Sequence, residues 1–323
     1  MPCFAAQIIK SAYPGKTEPE VMQIMGSFRR AAPPAPYFEG WYLKHQNRDG
    51  QSLALIPAFH TDAGGRRAAS LQVISNSGAW WLEYPPALCQ ASRQPLQIRM
   101  GPSRFSGQGV DLRIEQAGLS LHGALRYGPL TPLRSDIMGP FRHLAGMQCS
   151  HGVVSMGHSL RGVLRLNGET LDFSSGLGYI ETDRGRSFPR RYLWTQYLWD
   201  EPPGGSLMLA AASVPLPTGS FTGCICSILY QGREYRLATY RGARIEAWSP
   251  AGAAVRQGRY RLQAETLSAQ GQDLRAPAEG RMERTIHESL CAEVRYRFWR
   301  GEDLLFERTD RRASFEYSQE PRR

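Results

Sequence analysis

Most of the signatures that would name a chemistry outright are missing from this chain. There is no GxSxG elbow, no Walker loop, no HExxH pair and no dinucleotide fingerprint. The stretch GLGYIE has two glycines but lacks the third, and it lacks a strand-to-helix setting. These absences argue against serine hydrolases, nucleotide-driven enzymes, zincins and nicotinamide enzymes, and no cofactor is implied. No apolar run approaches the roughly 20 residues of a membrane-spanning helix. A short apolar patch sits in MPCFAAQIIKSAYPGK, but no basic segment precedes it, so no signal peptide is expected. The six cysteines are scattered, and only Cys224 and Cys226 stand close, as CxC in an apolar run. Without a second Cys or His cluster at ligand spacing, they point to buried, reduced thiols in a cytoplasmic protein rather than to a metal site.

Helical periodicity is scarce as well. Only residues 18 to 30, EPEVMQIMGSFRR, carry an apolar stripe at helical spacing, predicting a short N-terminal helix. After the breaker AAPPAP the chain becomes a succession of short apolar or aromatic runs separated by NRDG, DAGG, NSG, LNGE and PPGG. Strands are expected at 37–45, 52–60, 69–75, 78–84, 159–166, 192–199, 206–214, 222–230, 233–239 and 293–299. Many strands with few helices between them indicate an all-β fold of antiparallel barrels or sandwiches. An internal echo suggests two halves. WYLKHQNRDGQSLALIPAF, from residue 41, and RYLWTQYLWDEPPGGSLMLAAASV, from residue 191, each run aromatic strand, polar turn and an apolar strand opening with Ser-Leu. The expected division is a segment 1–32, halves 33–170 and 171–318, and a tail 319–323.

The net charge of +10 comes mainly from arginine spread along the whole length. Without a recognition module among the basic residues, specific nucleic-acid binding is not expected. Contact with an anionic membrane surface or an acidic amphiphile fits the charge better.

The densest chemistry lies in GYIETDRGRSFPRRYLWTQ, residues 178 to 196. Strand alternation sends Tyr179, Glu181 and Asp183 to one face. Buried carboxylates are costly unless paired, and Arg184, Arg186, Arg190 and Arg191 stand near enough to pair them. The residues therefore allow either an acid site or a solvated, salt-bridged edge.

PYFEGWYLK (36–44), GYIETDRGRSFPRRYLWTQ (178–196) and LRAP (274–277) resemble the tocopherol cyclase family, and FRHLAGMQCSHGVVSMGHSLRG (141–162) and SFTGCICSILYQG look like its bacterial branch. The resemblance runs from about residue 33 over nearly the whole chain. It implies two lipocalin-like halves and a cofactor-independent intramolecular cyclase of the isomerase or lyase type. In that chemistry an acid protonates the double bond of a prenylated quinol, and a phenol oxygen traps the cation. Such a reaction needs an apolar barrel pocket, a carboxylic acid kept protonated by desolvation, and exclusion of water. The alternative is a non-catalytic carrier of similar hydrophobic amphiphiles.

The acid candidates are Glu181, Asp183 and Glu39. Plant-type sequences carry tryptophan where this chain has Arg184, and a guanidinium beside Asp183 would hold it ionised. That makes Glu181 the better acid and assigns Asp183 to an ion pair with Arg184 or Arg186. Candidates for substrate contact are Tyr179, Trp41, His60, Tyr192, Trp194, Gln196 and His151. Trp41 reads first as the residue closing a barrel end, and Lys44, on the opposite face, as solvated. His60 reads as a pocket-mouth residue. His151 and His158, seven apart, fall on opposite faces of one strand, so a joint metal site is not expected. Arg275 reads as a loop anchor.

Overall fold

The computed structural model describes residues 34–144, 147–216 and 219–319; the expected helix at 18–30 lies outside them. Twelve strands form the first sheet. They are β1 (Tyr37–Gln46), β2 (Ser52–Thr61), β3 (Arg67–Ser75), β4 (Gly78–Tyr84), β5 (Cys89–Arg93), β6 (Leu96–Met100), β7 (Ser103–Ser106), β8 (Gly109–Gln116), β9 (Leu119–Tyr127), β10 (Cys149–Leu166), β11 (Glu169–Asp172) and β12 (Leu177–Gly185). Ten more form the second. They are β13 (Arg191–Trp199), β14 (Gly205–Leu216), β15 (Gly219–Tyr230), β16 (Arg233–Ala238), β17 (Arg244–Ser249), β18 (Gly252–Gln257), β19 (Tyr260–Ser268), β20 (Gln272–Ala278), β21 (Arg281–Arg300) and β22 (Asp303–Gln319).

The two sheets share one pairing order, which the first extends by two strands at its far edge. Each opens with a four-strand meander whose first strand is bordered by the last strand of its own half, β12 beside β1 and β22 beside β13. Each also has one extra strand off the main path, β11 on β10 and β20 on β21. The echo in the sequence is therefore an echo in pairing order. Because β12 pairs with β1 and β10, the chain crosses between halves at residues 186–190 rather than near residue 170.

Each sheet curls round its own apolar core. Leu43, Leu55, Leu71, Phe105, Leu121 and Ile180 help fill the first; Leu193, Tyr197, Trp199, Val255, Tyr296 and Phe298 help fill the second. The CxC cysteines, Cys224 and Cys226, are free thiols inside the second core. Among the described residues, no helix is long and apolar enough to cross a membrane.

A third cluster lies between the halves, including Tyr42, Met156, Tyr179, Trp194, Met208 and Ile286. It explains why β13, RYLWTQYLW, is buried along nearly its whole length. Its odd-numbered side chains enter the second core and its even-numbered ones face the first half, so both faces are covered. At about 1.5–3 kcal/mol for each large apolar side chain removed from water, this seam offsets the polar groups buried within it. Gln72 clasps the Arg275 backbone across it, donating from Nε2 to the carbonyl at 2.9 Å and accepting from the amide at 2.7 Å. Lys44 is 1% exposed rather than solvated, because the face opposite the first core is the seam. Its Nζ donates to Arg312 O at 2.7 Å, and burial pulls its pKa down to about 8.

Candidate active site at the seam

A cavity of about 200 Å³ opens between the two sheets and not within either barrel as the sequence suggested. Both barrel interiors are filled by their own cores, which leaves the outward faces of β1, β12, β13 and β14 to line the space. The wall is largely apolar, with Phe38, Ile56, Met138, Phe141, Trp194 and Ala210 among its residues. The volume is below the roughly 300–1,000 Å³ that drug-sized ligands fill. A compact ligand, or only part of a long one, fits.

Strand alternation on β12 brings Tyr179, Glu181 and Asp183 to this face. Tyr179 donates its hydroxyl to Glu181 Oε2 at 2.7 Å, and Trp194 Nε1, from the other half, donates to the same oxygen at 3.2 Å. His151 comes from β10, one register pair away, opposite Asp183. Its Nδ1 lies 3.0 Å from Asp183 Oδ1. Its Nε2 stands 3.4 Å from Glu181 Oε2 without hydrogen-bond alignment. These three contacts on Glu181 all fall on Oε2, which leaves Oε1 as the oxygen to carry a proton.

The electrostatics follow from burial. Desolvation, opposed by His151 and reinforced by Asp183, pushes the Glu181 carboxyl up to about 7. Burial disfavours the His151 cation, but the carboxylates of Asp183 and Glu181 more than offset it and raise its pKa to about 9. The imidazolium is therefore matched first by Asp183, which frees Glu181 to hold a proton near neutrality. Donor atoms of His151, Glu181 and Asp183 lie within 4.8 Å of one another. A cation entering there would displace the contact between His151 and Asp183 and the two donors resting on Oε2.

Two further carboxyls share the cavity and were not anticipated. Glu288 on β21 accepts from Tyr42 OH at 2.5 Å, and Glu316 on β22 accepts from Tyr192 OH. Burial pushes Glu288 to about 7, against the lowering hydrogen bond from Tyr42. Burial, then the neighbouring Glu288, pushes Glu316 well above the carboxylate range. Tyr42 and Tyr192 occupy the same place in the two echoed segments, and each holds one of these acids.

The other sequence candidates are dispersed. Glu39 is ion-paired with Arg93 and bonded to Tyr37, and it lies on the face of β1 away from Tyr42 and the cavity. His60 is half-buried, 3.4 Å from Ser70 Oγ. Trp41 packs in the first core, edge-on to Phe59, and also borders the cavity. Tyr192 and Trp194 do line the cavity, whereas Gln196 is buried further along the same face, its amide without a hydrogen-bond partner among the described residues. Neither arginine expected at Asp183 pairs with it. Arg184 turns to the other face of β12, opposite Glu39, and Arg186 stands 3.9 Å from Glu279. Asp183 takes His151 and the Cys149 thiol as partners instead. Arg275 anchors its strand through its backbone, with its guanidinium 4.8 Å above Trp81.

Fold and site together define a β protein of two lipocalin-like halves with a buried carboxyl cluster where the halves meet. Residues 146–317, just over half the chain, match the tocopherol cyclase-like family, and the chain belongs to it. No curated protein matches the sequence. Two solved structures share the fold. A putative AttH from Nitrosomonas europaea is 12% identical, with 95% of this chain and 98% of that one covered and a TM-score of 0.51. Kievitone hydratase from Nectria haematococca is 10% identical, with 88% and 90% covered and a TM-score of 0.52.

Proposed function

We propose that the protein is an acid catalyst of ring closure, acting on a compact phenol that carries a prenyl-type double bond. The observation carrying this reading is Glu181: a carboxyl raised to about 7, anchored by two donors on one oxygen, in the lining of a largely apolar cavity. Glu181 gives its proton to the less substituted alkene carbon, forming a C–H bond and a tertiary cation at the other carbon. The phenol oxygen then bonds to that carbon and releases its own proton, so the product is an isomer of the substrate. The apolar wall keeps water from intercepting the cation. The small volume favours a substrate with a short tail, or one whose tail runs out through the opening.

Addition of water to the same cation is a second reading, supported by the fold shared with a hydratase. The two differ by one water in product mass. The test is a panel of ortho-prenylated phenols and quinols incubated with the protein and with Glu181→Gln, read by mass spectrometry. Cyclisation predicts isomeric products from the native protein. It also predicts a rate at least about 10²-fold lower in the variant, the usual worth of a positioned acid, with ligand affinity nearly unchanged. Equal turnover by the variant removes Glu181 as the acid. Tight binding with no turnover by either protein supports a carrier instead.

A further inference from the structure

We propose that Glu288 is the second catalytic group of this site, a general base that takes the phenolic proton as the C–O bond forms. The inference rests on the ring-closure reading and assigns the two proton transfers to different halves, the acid to the first and the base to the second. Glu288 is 3% exposed, lines the same cavity as Glu181 and projects from the facing sheet. Tyr42 fixes their relation. It is the register partner of Glu181 across the β1–β12 ladder, and its hydroxyl reaches over the seam to Glu288 Oε1. The same hydroxyl lies 3.1 Å from Ser314 Oγ, so its position is held from two sides.

The surroundings of Glu288 suit a group that cycles between charged and neutral forms. Tyr42 and Lys44 face it from β1 and Glu181 from β12. Glu316, its register partner, and Tyr192 approach from β22 and β13. Lys44 and the Tyr42 hydroxyl favour the carboxylate, while burial and Glu181 favour the acid. Burial, and then Glu288 itself, push the Glu316 carboxyl upward, which favours its neutral form. A glutamine would accept the Tyr42 hydrogen bond equally well without a carboxylate's desolvation cost, so a purely structural role gives no reason for an ionisable group here.

The proton count closes. Glu181 loses a proton to the alkene, the phenol O–H breaks as its oxygen bonds to the cationic carbon, and that proton goes to Glu288. Turnover leaves Glu181 ionised and Glu288 neutral, and exchange with solvent restores the starting pair once product leaves. The reactive form has Glu181 protonated and Glu288 ionised. With both groups near 7, kcat/KM should follow a narrow bell centred close to neutrality.

The experiment is the pH profile of kcat/KM for a phenol bearing a single ortho-prenyl group, measured on the native protein, Glu181→Gln, Glu288→Gln and Tyr42→Phe. Glu288→Gln should lose about 10²-fold or more at the optimum and should lose the ascending, acidic limb while keeping the fall above neutrality. Tyr42→Phe removes a bond that favours the carboxylate, so its ascending limb should move to higher pH. That shift tests the assignment even if Glu288→Gln fails to fold. An ascending limb retained in Glu288→Gln, or unmoved in Tyr42→Phe, overturns the base while leaving Glu181 in place. A native protein inert toward the probe brings down the ring-closure reading and this inference together, whereas a fully active Glu181→Gln removes Glu181 as the acid and with it the division of the two proton transfers proposed here.

Discussion

Replacing Glu181 by glutamine should make the protein more stable in mildly alkaline solution even as it removes turnover. The carboxyl is raised in the folded protein from an ordinary 4.5 to about 7. Between those values the folded chain holds a proton that the unfolded chain has released. Stability therefore falls as pH rises through this window and stays lower above it. A shift of that size corresponds to about 3 kcal/mol. Glutamine is neutral at every pH, and its amide oxygen can accept from Tyr179 and Trp194 as Oε2 does. The variant also removes the weaker of the two ion pairs of His151, which keeps Asp183 at 3.0 Å, so the gain is trimmed by roughly 1 kcal/mol, the scale of a single unaligned ion pair. Urea unfolding at pH 4.5 and pH 8 is the assay. These values bracket the window while His151, at about 9, remains protonated. The two proteins should lie close at the lower pH, with the variant ahead by about 2 kcal/mol at the higher. A stability difference that does not change between the two pH values would refute the claim that burial holds this proton.

Two further outcomes follow from backbone geometry at the seam. Gly185, at the end of β12, has φ of 153°, and a Cβ there would sit 2.1 Å from Gln148 O. Gly185→Ala should cost on the order of 1–3 kcal/mol in thermal unfolding and displace the β10 strand that carries His151. Gln72→Leu leaves the Arg275 amide and carbonyl without their partner across the seam, and urea unfolding should register a loss of about 1–3 kcal/mol.

What could be read from the sequence was whatever alternation and repetition encode. Period-2 spacing placed Tyr179, Glu181 and Asp183 on one face, and the YLxxQ echo marked the equivalent strands β1 and β13. It did not reveal Glu288 and Glu316. Glu288 owes its role to Tyr42, 246 residues away, and to a register between β21 and β22 interrupted by bulges. The equivalence of Tyr42 and Tyr192 in the echo was the available clue, since a repeated buried hydroxyl needs an acceptor in each half. Lys44 and the cavity were misplaced for one reason. Alternation separates the two faces of a strand but does not say whether the outer one meets solvent or another sheet. Sequence adjacency offers Asp183 only arginines, whereas strand geometry turns Arg184 away and brings His151 across from β10.

The filled barrels have an evolutionary consequence. In each central strand the odd and even letters answer to different selective demands. Along β13, Leu193, Tyr197 and Trp199 are constrained by the need to keep a half folded, while Tyr192 and Trp194 are constrained by whatever enters the seam. The inward letters can stay fixed while the outward ones drift toward a new ligand, and the relative tilt of two intact halves adds another means of adjustment. A lineage built this way can change its chemistry without reopening the question of how it folds.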